Sequence, residues 1–519
     1  MATGSGFTRR LSRVLEPRKG TQMRNRILVV QLAFAAALAA LFLVPTTSAD
    51  VPCDVRNNNT TNKLLECVTV AGVREHQAVL QSIADANGGN RASGTAGHDA
   101  SVNYIVDQMT AAGYDVTVQE FDFPFFQELE PPVLEQISPI PTTYEPEVDF
   151  FTMQYSGSGD VTATVQAVDL VLPPAPVSSS TSGCEAADFA GFAAGNIALI
   201  QRGTCTFALK AQNAQAAGAL GVIIFNEGQP GRTDALAGTL GGPGVGVPVV
   251  GTSFALGVSL ATVPVPVVHM DISTVSEIRT TANVLAETVA GRGDNVVMAG
   301  AHLDSVAEGP GINDNGSGSA ALLEIALQMK KVKPRNQVRF AWWAAEEAGL
   351  VGSDFYVSSL SQDELDRIAL YLNFDMIGSP NFVRFVYDGD GSDLPGIAPP
   401  GSEVIEQLFL DYFDSQGLPT EPTEVGARSD HAPFAAAGIP VGGLFTGAEG
   451  IKTAEEAGIY GGTAGEPYDP CYHTACDTFD NVSLEALDQN SDATAFAVLT
   501  YAMNTESMNG EKGKGNFKP

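Results

Sequence analysis

Two histidines and a set of carboxylates fall where apolar runs of this chain end. His302 and Asp304 close the run NVVMAGAHLD, and Asp314 follows within Asn313-Asp314-Asn315-Gly316. Glu346 and Glu347 come after the apolar stretch holding Trp342 and Trp343, Asp375 follows IALYLNF, and His473 lies between Cys471 and Cys476. Imidazole nitrogen and carboxylate oxygen are ordinary zinc donors. Two imidazoles and three carboxylates (His302, Asp314, Glu347, Asp375 and His473) suffice for two ions if one carboxylate bridges them. Each feature alone has a plainer reading: a surface hydrogen bond, a turn, a solvated face. Together, at successive strand ends, they point to a metal centre. Two ions about 3.5–4 Å apart polarise a carbonyl and acidify a shared water. Neighbours at a strand end can point apart, so one of the paired glutamates binds metal and the other takes the proton. Tyr472, beside a ligand, is placed to donate to a developing oxyanion. Asp304 is placed to accept from the second nitrogen of His302. The chemistry spelled out is metal-assisted hydrolysis of an amide.

These groups meet only if the segments before them are neighbouring strands. Residues 295–301, 338–344 and 368–374 read as strands, with an amphipathic helix over 317–331 and a short helix over 354–360. Strands alternating with helices predict an α/β fold, a doubly wound, mostly parallel sheet with helices on both faces. Such sheets bind ligands beyond the carboxyl ends of their strands. Upstream, 73–86 and 101–113 have helical spacing and 114–121 alternates as a strand. The proline-rich run 124–146 has no clear period and marks a boundary or a covering loop. From 150 to 268 the chain turns poor in charge: NIALIQ (196–201), a helix over 207–219 and GVIIFN (221–226) form a β-α-β unit. A glycine-rich loop, 238–246, and a strand over 247–250 follow. Gly242, Gly244 and Gly246 lack the spacing and the strand-to-helix turn of a dinucleotide site. His76, His98 and His269 have no such company and read as structural or surface residues.

At 519 residues the chain is too long for one core, and 44% hydrophobic content with a mean hydropathy of +0.05 excludes a disordered chain. With 28 Lys+Arg against 60 Asp+Glu, the net charge of −32 excludes nucleic acid as a partner, and leaves room for bound cations, calcium among them. Arg24 and Arg26, the apolar run 27–44 and the small residues Thr47-Ser48-Ala49 read as a secretory signal over 1–49. The rival reading is a single transmembrane anchor; cleavage is favoured because the small residues arrive at once, so a secreted, extracellular protein without a membrane anchor is expected. The six cysteines fall into three local couples (Cys53 and Cys67, Cys184 and Cys205, Cys471 and Cys476), which suits export and three disulfides.

Over about 65–125 and 275–505 the chain resembles the M28 di-zinc exopeptidases, especially the secreted bacterial aminopeptidases. The matching pieces are GAHLDSV, GPGINDNGSGSAALLEIA, FAWWAAEEAGLVGS, NFDMIG, RSDHAPF and CYHTACDT. The resemblance implies His302, Asp314 (bridging), Glu347, Asp375 and His473 as ligands of two zinc ions. It also implies Glu346 as general base and Tyr472 as carbonyl stabiliser. Arg428 and Asp430 match a substrate-cleft segment, while Met376 and Phe445 match an apolar pocket suited to large apolar N-terminal residues. The stretch 150–268, with RGTCTFALKAQNAQAAGALGVIIFNE, resembles a protease-associated (PA) domain. The expected layout is a signal (1–49), a first catalytic part (50–149), the inserted PA domain (150–268), the main catalytic part (269–505) and a flexible tail (506–519). The expected activity is removal of N-terminal residues from peptides or proteins by a monomer. A carboxypeptidase or glutaminyl cyclase of the same fold, or an inactive receptor-like relative, is the alternative.

Overall fold

The computed structural model describes residues 52–53, 55–396 and 398–513, so the expected leader lies outside the described residues. From residue 56 on, these form two eight-stranded sheets. The first is centred on Arg292–His302, which pairs in parallel with Asn336–Trp343 on one side and Ile368–Phe374 on the other. Val441–Phe445 continues the parallel set beyond Ile368–Phe374. Residues 295–302 and the whole of Ile368–Phe374 are buried, the continuous apolar pattern of strands covered on both faces. Helix Gly316–Met329, capped by Asn315 Oδ1 accepting from the Gly318 N–H, is buried along most of its length. Gly318 permits its close approach: a Cβ there would stand 2.1 Å from the Phe374 carbonyl oxygen. The antiparallel pair Asp115–Glu128 and Thr274–Glu287 completes one side of the sheet, in register from Asp115 opposite Glu287 to Glu128 opposite Thr274.

The second sheet lies wholly within the chain between those two strands. Its parallel centre is Ile197–Gln201, Gly221–Phe225 and Val249–Thr252, every residue buried. Helix Phe207–Ala216 joins the first two, as the β-α-β reading predicts. The expected strand 247–250 begins at Val249 instead, just after Pro248, which has no N–H to give a ladder. The segment 238–246 forms no helix. The proline-rich run departs more from expectation. Asp115–Glu128 carries Pro124 on an outermost strand, where a missing donor is tolerated, and Val133–Ser138 and Thr142–Tyr144 belong to the second sheet. Val133–Ser138 pairs with Val267–Ile272, so this sheet reaches past both expected limits, 150 and 268.

The tail is anchored further than expected. Glu506–Asn509 is helical, Asn509 Nδ2 donates to Asn295 Oδ1 at 2.7 Å, and Glu511 pairs with Arg292. Two expected disulfides, Cys184–Cys205 and Cys471–Cys476, are present, and no described cysteine is free. No helix among the described residues is long and apolar enough to cross a membrane.

Candidate active site

The central strand ends at His302, and its surroundings decide which ring nitrogen faces the site. Nδ1 lies 3.1 Å from the main-chain carbonyl of Asp304, leaving Nε2 toward Asp314 Oδ1 at 3.1 Å and Asp375 Oδ1 at 3.2 Å. The Asp304 carboxylate is farther off. It stands at 3.7 Å from Nδ1 and instead accepts the Glu346 N–H at 3.3 Å, tying two strand ends together. His473 arrives from the loop closed by Cys471–Cys476, with Nε2 at 3.2 Å from Asp314 Oδ2 and 3.0 Å from Glu347 Oε2. Asp314 therefore offers one oxygen to each imidazole, the arrangement of a bridging carboxylate.

Against the pull of burial, hydrogen bonds from His302 and His473 hold the Asp314 carboxyl below the usual range. Burial opposes charge on His473 too, yet Asp314 and Glu347 raise its imidazole to about 10. Burial, with Asp314 beside it, pushes Glu347 up to about 7. These are acids and imidazoles held close together, buried on the His302 side and open to solvent at His473.

The donor set fits a pair of metal ions. His302, Asp314 and Asp375 form one group and Asp314, Glu347 and His473 another, the ligand atoms of each within 4.8 Å of one another. Glu347 Oε1 is buried with no hydrogen-bond partner, a cost that a cation would relieve. Glu346 also groups with His302 and Glu347, but its Oε2 stands 4.0 Å from His302 Nε2, farther than either aspartate. Burial, with Glu347, Asp375 and Asp430 nearby, pushes its carboxyl well above the ordinary range, so it holds a proton readily. A different acidic group, Asp388, Asp390 and Glu406, has its carboxylates taken up by main-chain amides. We assign no calcium there.

The candidate ligands are aimed by sharp turns. Ala345, Met376 and His473 have φ of 54°, 53° and 56°, a left-handed conformation uncommon outside glycine, and each adjoins or is a site residue. Strain of this kind persists where surrounding bonds over-determine it. Ser93 Oγ accepts the Ala345 N–H at 2.7 Å, and the Met376 carbonyl accepts the Thr446 N–H at 2.9 Å.

Several supporting residues lie outside the motif reading. Asp477 accepts the main-chain N–H of Asn313 at 2.8 Å and of Asp314 at 2.9 Å, while Asp469 accepts from Asn313 Nδ2 at 2.7 Å and the Cys471 N–H at 2.9 Å. The two acids thus fasten the Asp314 loop to the disulfide loop. Ser429 Oγ donates to Asp375 Oδ2 at 2.6 Å. Arg91, fully buried, donates to the carbonyls of Leu303, Pro310 and Gly311, the backbone between His302 and Asp314. The position of Asp477, one residue past Cys476, was the available signal for its role. Nothing local announces Arg91. Asp477→Ala is expected to weaken zinc binding roughly 10–100-fold, the cost of removing a group that orients a ligand. Competition with a chromogenic chelator measures this, and unaltered affinity would remove Asp477 from that role.

A cleft of about 130 Å³ opens beside these groups, with Asp314, Glu346, Asp375, Tyr472 and His473 in its walls. Met376 and Phe445 line it, joined by Tyr387 and His431. His431 gives Nε2 to the Gly426 carbonyl at 2.8 Å, and burial drops its pKa to about 4, so it stays neutral. Tyr472 stacks on His473, ring centres 3.8 Å apart; burial and the neighbouring carboxylates keep its hydroxyl protonated. Arg428 lines the cleft but is paired with Glu449, Nη1–Oε1 3.0 Å and Nη2–Oε2 3.1 Å. Asp430 departs from expectation: it is fully buried and is not among the cleft's lining residues. It precedes helix His431–Ala436, which carries its carboxylate into the packed interior, where burial pushes it to about 7.

Family models match the chain twice: peptidase family M28 over residues 283–498 and the PA domain over 165–260. An aminopeptidase of Pseudomonas aeruginosa is 51% identical over 450 residues, 86% of this chain and 84% of the relative. Leucine aminopeptidase 2 of Arthroderma otae is 43% identical over 419 residues, 80% of each. Among solved structures, a zinc aminopeptidase from Bacillus subtilis aligns with a TM-score of 0.55 at 26% identity, covering 87% of this chain and 99% of that one.

Proposed function

As the chain belongs to peptidase family M28 and carries a PA domain, we propose that it is a secreted zinc aminopeptidase that removes large apolar residues from the N-termini of peptides. The observation that carries the reading is the pair of imidazoles on either side of Asp314, each with a further carboxylate within about 3 Å. His302 and Asp375 would hold one zinc, Glu347 and His473 the other, with Asp314 shared. Zinc bound there supplies Lewis acidity toward a carbonyl and lowers the pKa of water.

The chain's own residues supply the rest. Glu346 takes the proton of the attacking water and hands it to the departing amine, a transfer suited to its raised pKa. The Tyr472 hydroxyl donates to the oxygen on which negative charge develops. Met376 and Phe445 give the first side chain an apolar seat, and Glu346 and Asp375 face its free ammonium. Of the described residues, Arg428 is the only arginine or lysine in the cleft's walls, and Glu449 already occupies it. A C-terminal carboxylate therefore finds no unpaired cation, which favours the aminopeptidase over the carboxypeptidase reading. Export accords with the signal-like leader and with the disulfides.

A panel of aminoacyl-anilides tests this. Leucyl-anilide is expected to be cleaved, its N-acetyl derivative not, and a chelator to abolish the activity until zinc is restored. Release from the acetylated substrate alone would sink the proposal.

A further inference from the structure

A second cavity, of about 280 Å³, touches the same centre from another side. Glu346 lines the first cleft and Glu347, its neighbour in the chain, lines the second. The second cavity is built by both sheets' domains. One wall is the outermost strand through Phe123–Glu128, another the loop carrying Ser305 and Glu308, and a third is Gln154–Tyr155 from the inserted domain.

That third wall is fixed. Tyr155 holds φ 67°, its carbonyl accepts from Ser276 Oγ at 3.1 Å, and its ring packs edge-on against Phe126 at 5.8 Å. Gln154 is bound through both its N–H, to the Gly238 carbonyl at 2.9 Å, and its carbonyl, from the Leu240 N–H at 3.0 Å. Its exposed side-chain amide, like that of Gln127 opposite, makes no hydrogen bond among the described residues. Unengaged amides on a rigid frame match the donors and acceptors of a peptide main chain.

The charge of the walls is one-sided. No lysine, arginine or histidine lines the cavity; of its acids, Asp304 and Glu347 face the buried Arg91 and the candidate metal centre, which leaves Glu128 and Glu308 as the open charges. We propose that this cavity, resting on the aminopeptidase reading above, binds the peptide downstream of the cleaved bond, and that it selects by charge. It disfavours a carboxylate close to that bond, as in a dipeptide, and favours longer peptides with a basic residue two or three places from the N-terminus. Glu128 and Glu308, both exposed at the rim, are the residues that would set this preference.

The test compares kcat/KM of the full protein for leucyl-anilide, Leu-Gly, Leu-Gly amide, Leu-Gly-Lys-Gly and Leu-Gly-Glu-Gly. In the wild type the amide should exceed Leu-Gly, and the Lys peptide the Glu peptide, each by about tenfold at low salt. In Glu128→Gln/Glu308→Gln both ratios should shrink to roughly a third or less, the effect expected of exposed charges. Ratios near one in the wild type overturn the proposal. So do wild-type ratios that persist in the double variant, since the selection then comes from elsewhere. Loss of leucyl-anilide cleavage in the wild type would strike the aminopeptidase reading itself, which separates the two failures.

Discussion

Glu346→Gln is expected to lower kcat by roughly 10²–10⁴-fold while the protein keeps its zinc. The substitution preserves shape and the ability to donate hydrogen bonds but removes the capacity to accept a proton. The surroundings should tolerate it. Glu346 is placed by main-chain contacts, its own N–H to Asp304 Oδ1 at 3.3 Å and the left-handed turn at Ala345, and neither depends on its charge. Its carboxylate stands farther from His302 Nε2 than those of Asp314 and Asp375, so metal content should be unaltered. Leucyl-anilide turnover measured beside zinc content by atomic absorption separates the outcomes. Zinc lost together with activity would make Glu346 a ligand, and activity retained would place the base elsewhere.

Arg91→Met should have the second large effect, on stability and metal retention together. The guanidinium is fully buried, and burial depresses its pKa to about 10, with Asp304 foremost among the acids that sustain its charge. Its donors serve three carbonyls: Leu303, Pro310 at 2.9 Å and Gly311 at 2.6 Å, the last of which also accepts the Gly316 N–H at 3.0 Å. Methionine fills similar volume but leaves the Leu303 and Pro310 oxygens buried and unmet, a loss of about 3–5 kcal/mol by analogy with breaking a buried charged contact. The same change takes positive charge away from a group of carboxylates. Thermal unfolding with and without chelator reads both parts: Tm should fall in each condition, and the zinc-dependent gap should narrow. Arg91→Lys should recover some of the charge effect and little of the hydrogen bonding. A variant as stable and zinc-retentive as the wild type would remove Arg91 from the frame of the site.

The legible part of the site consists of residues that share a short segment with an apolar run. His302 ends a buried strand, Asp375 follows one directly and Glu347 comes four residues after one, so the strand reading carries these candidate ligands with it. Asp314 was within reach because its loop leads directly into helix Gly316–Met329. What escaped was long-range or main-chain in character. Arg91 contacts carbonyls more than 200 residues away, and no local pattern encodes a backbone acceptor. The choice of the Asp304 carbonyl over its carboxylate depends on how the chain turns after the strand, a matter of a few tenths of an ångström. For the fold, fully buried strands such as Ile368–Phe374 read clearly. The half-exposed Thr274–Glu287, whose pattern mixes charged and apolar residues without strict alternation, did not. Val133–Ser138 and Thr142–Tyr144 were hidden among prolines whose cost falls on the positions between them.

The ladder between Asp115–Glu128 and Thr274–Glu287 ends with Glu128 opposite Thr274, and everything in the second sheet is threaded between those two partners. In topological terms that whole region is the tip of one β-hairpin. Entry and exit sit side by side, so the ladder closes in the same register whether the tip is a tight turn or a folded domain. Lengthening such a loop raises its closure entropy only logarithmically. An insertion of this kind is modular: it can be gained, lost or exchanged as a cassette without moving the strand ends around which the candidate ligands gather.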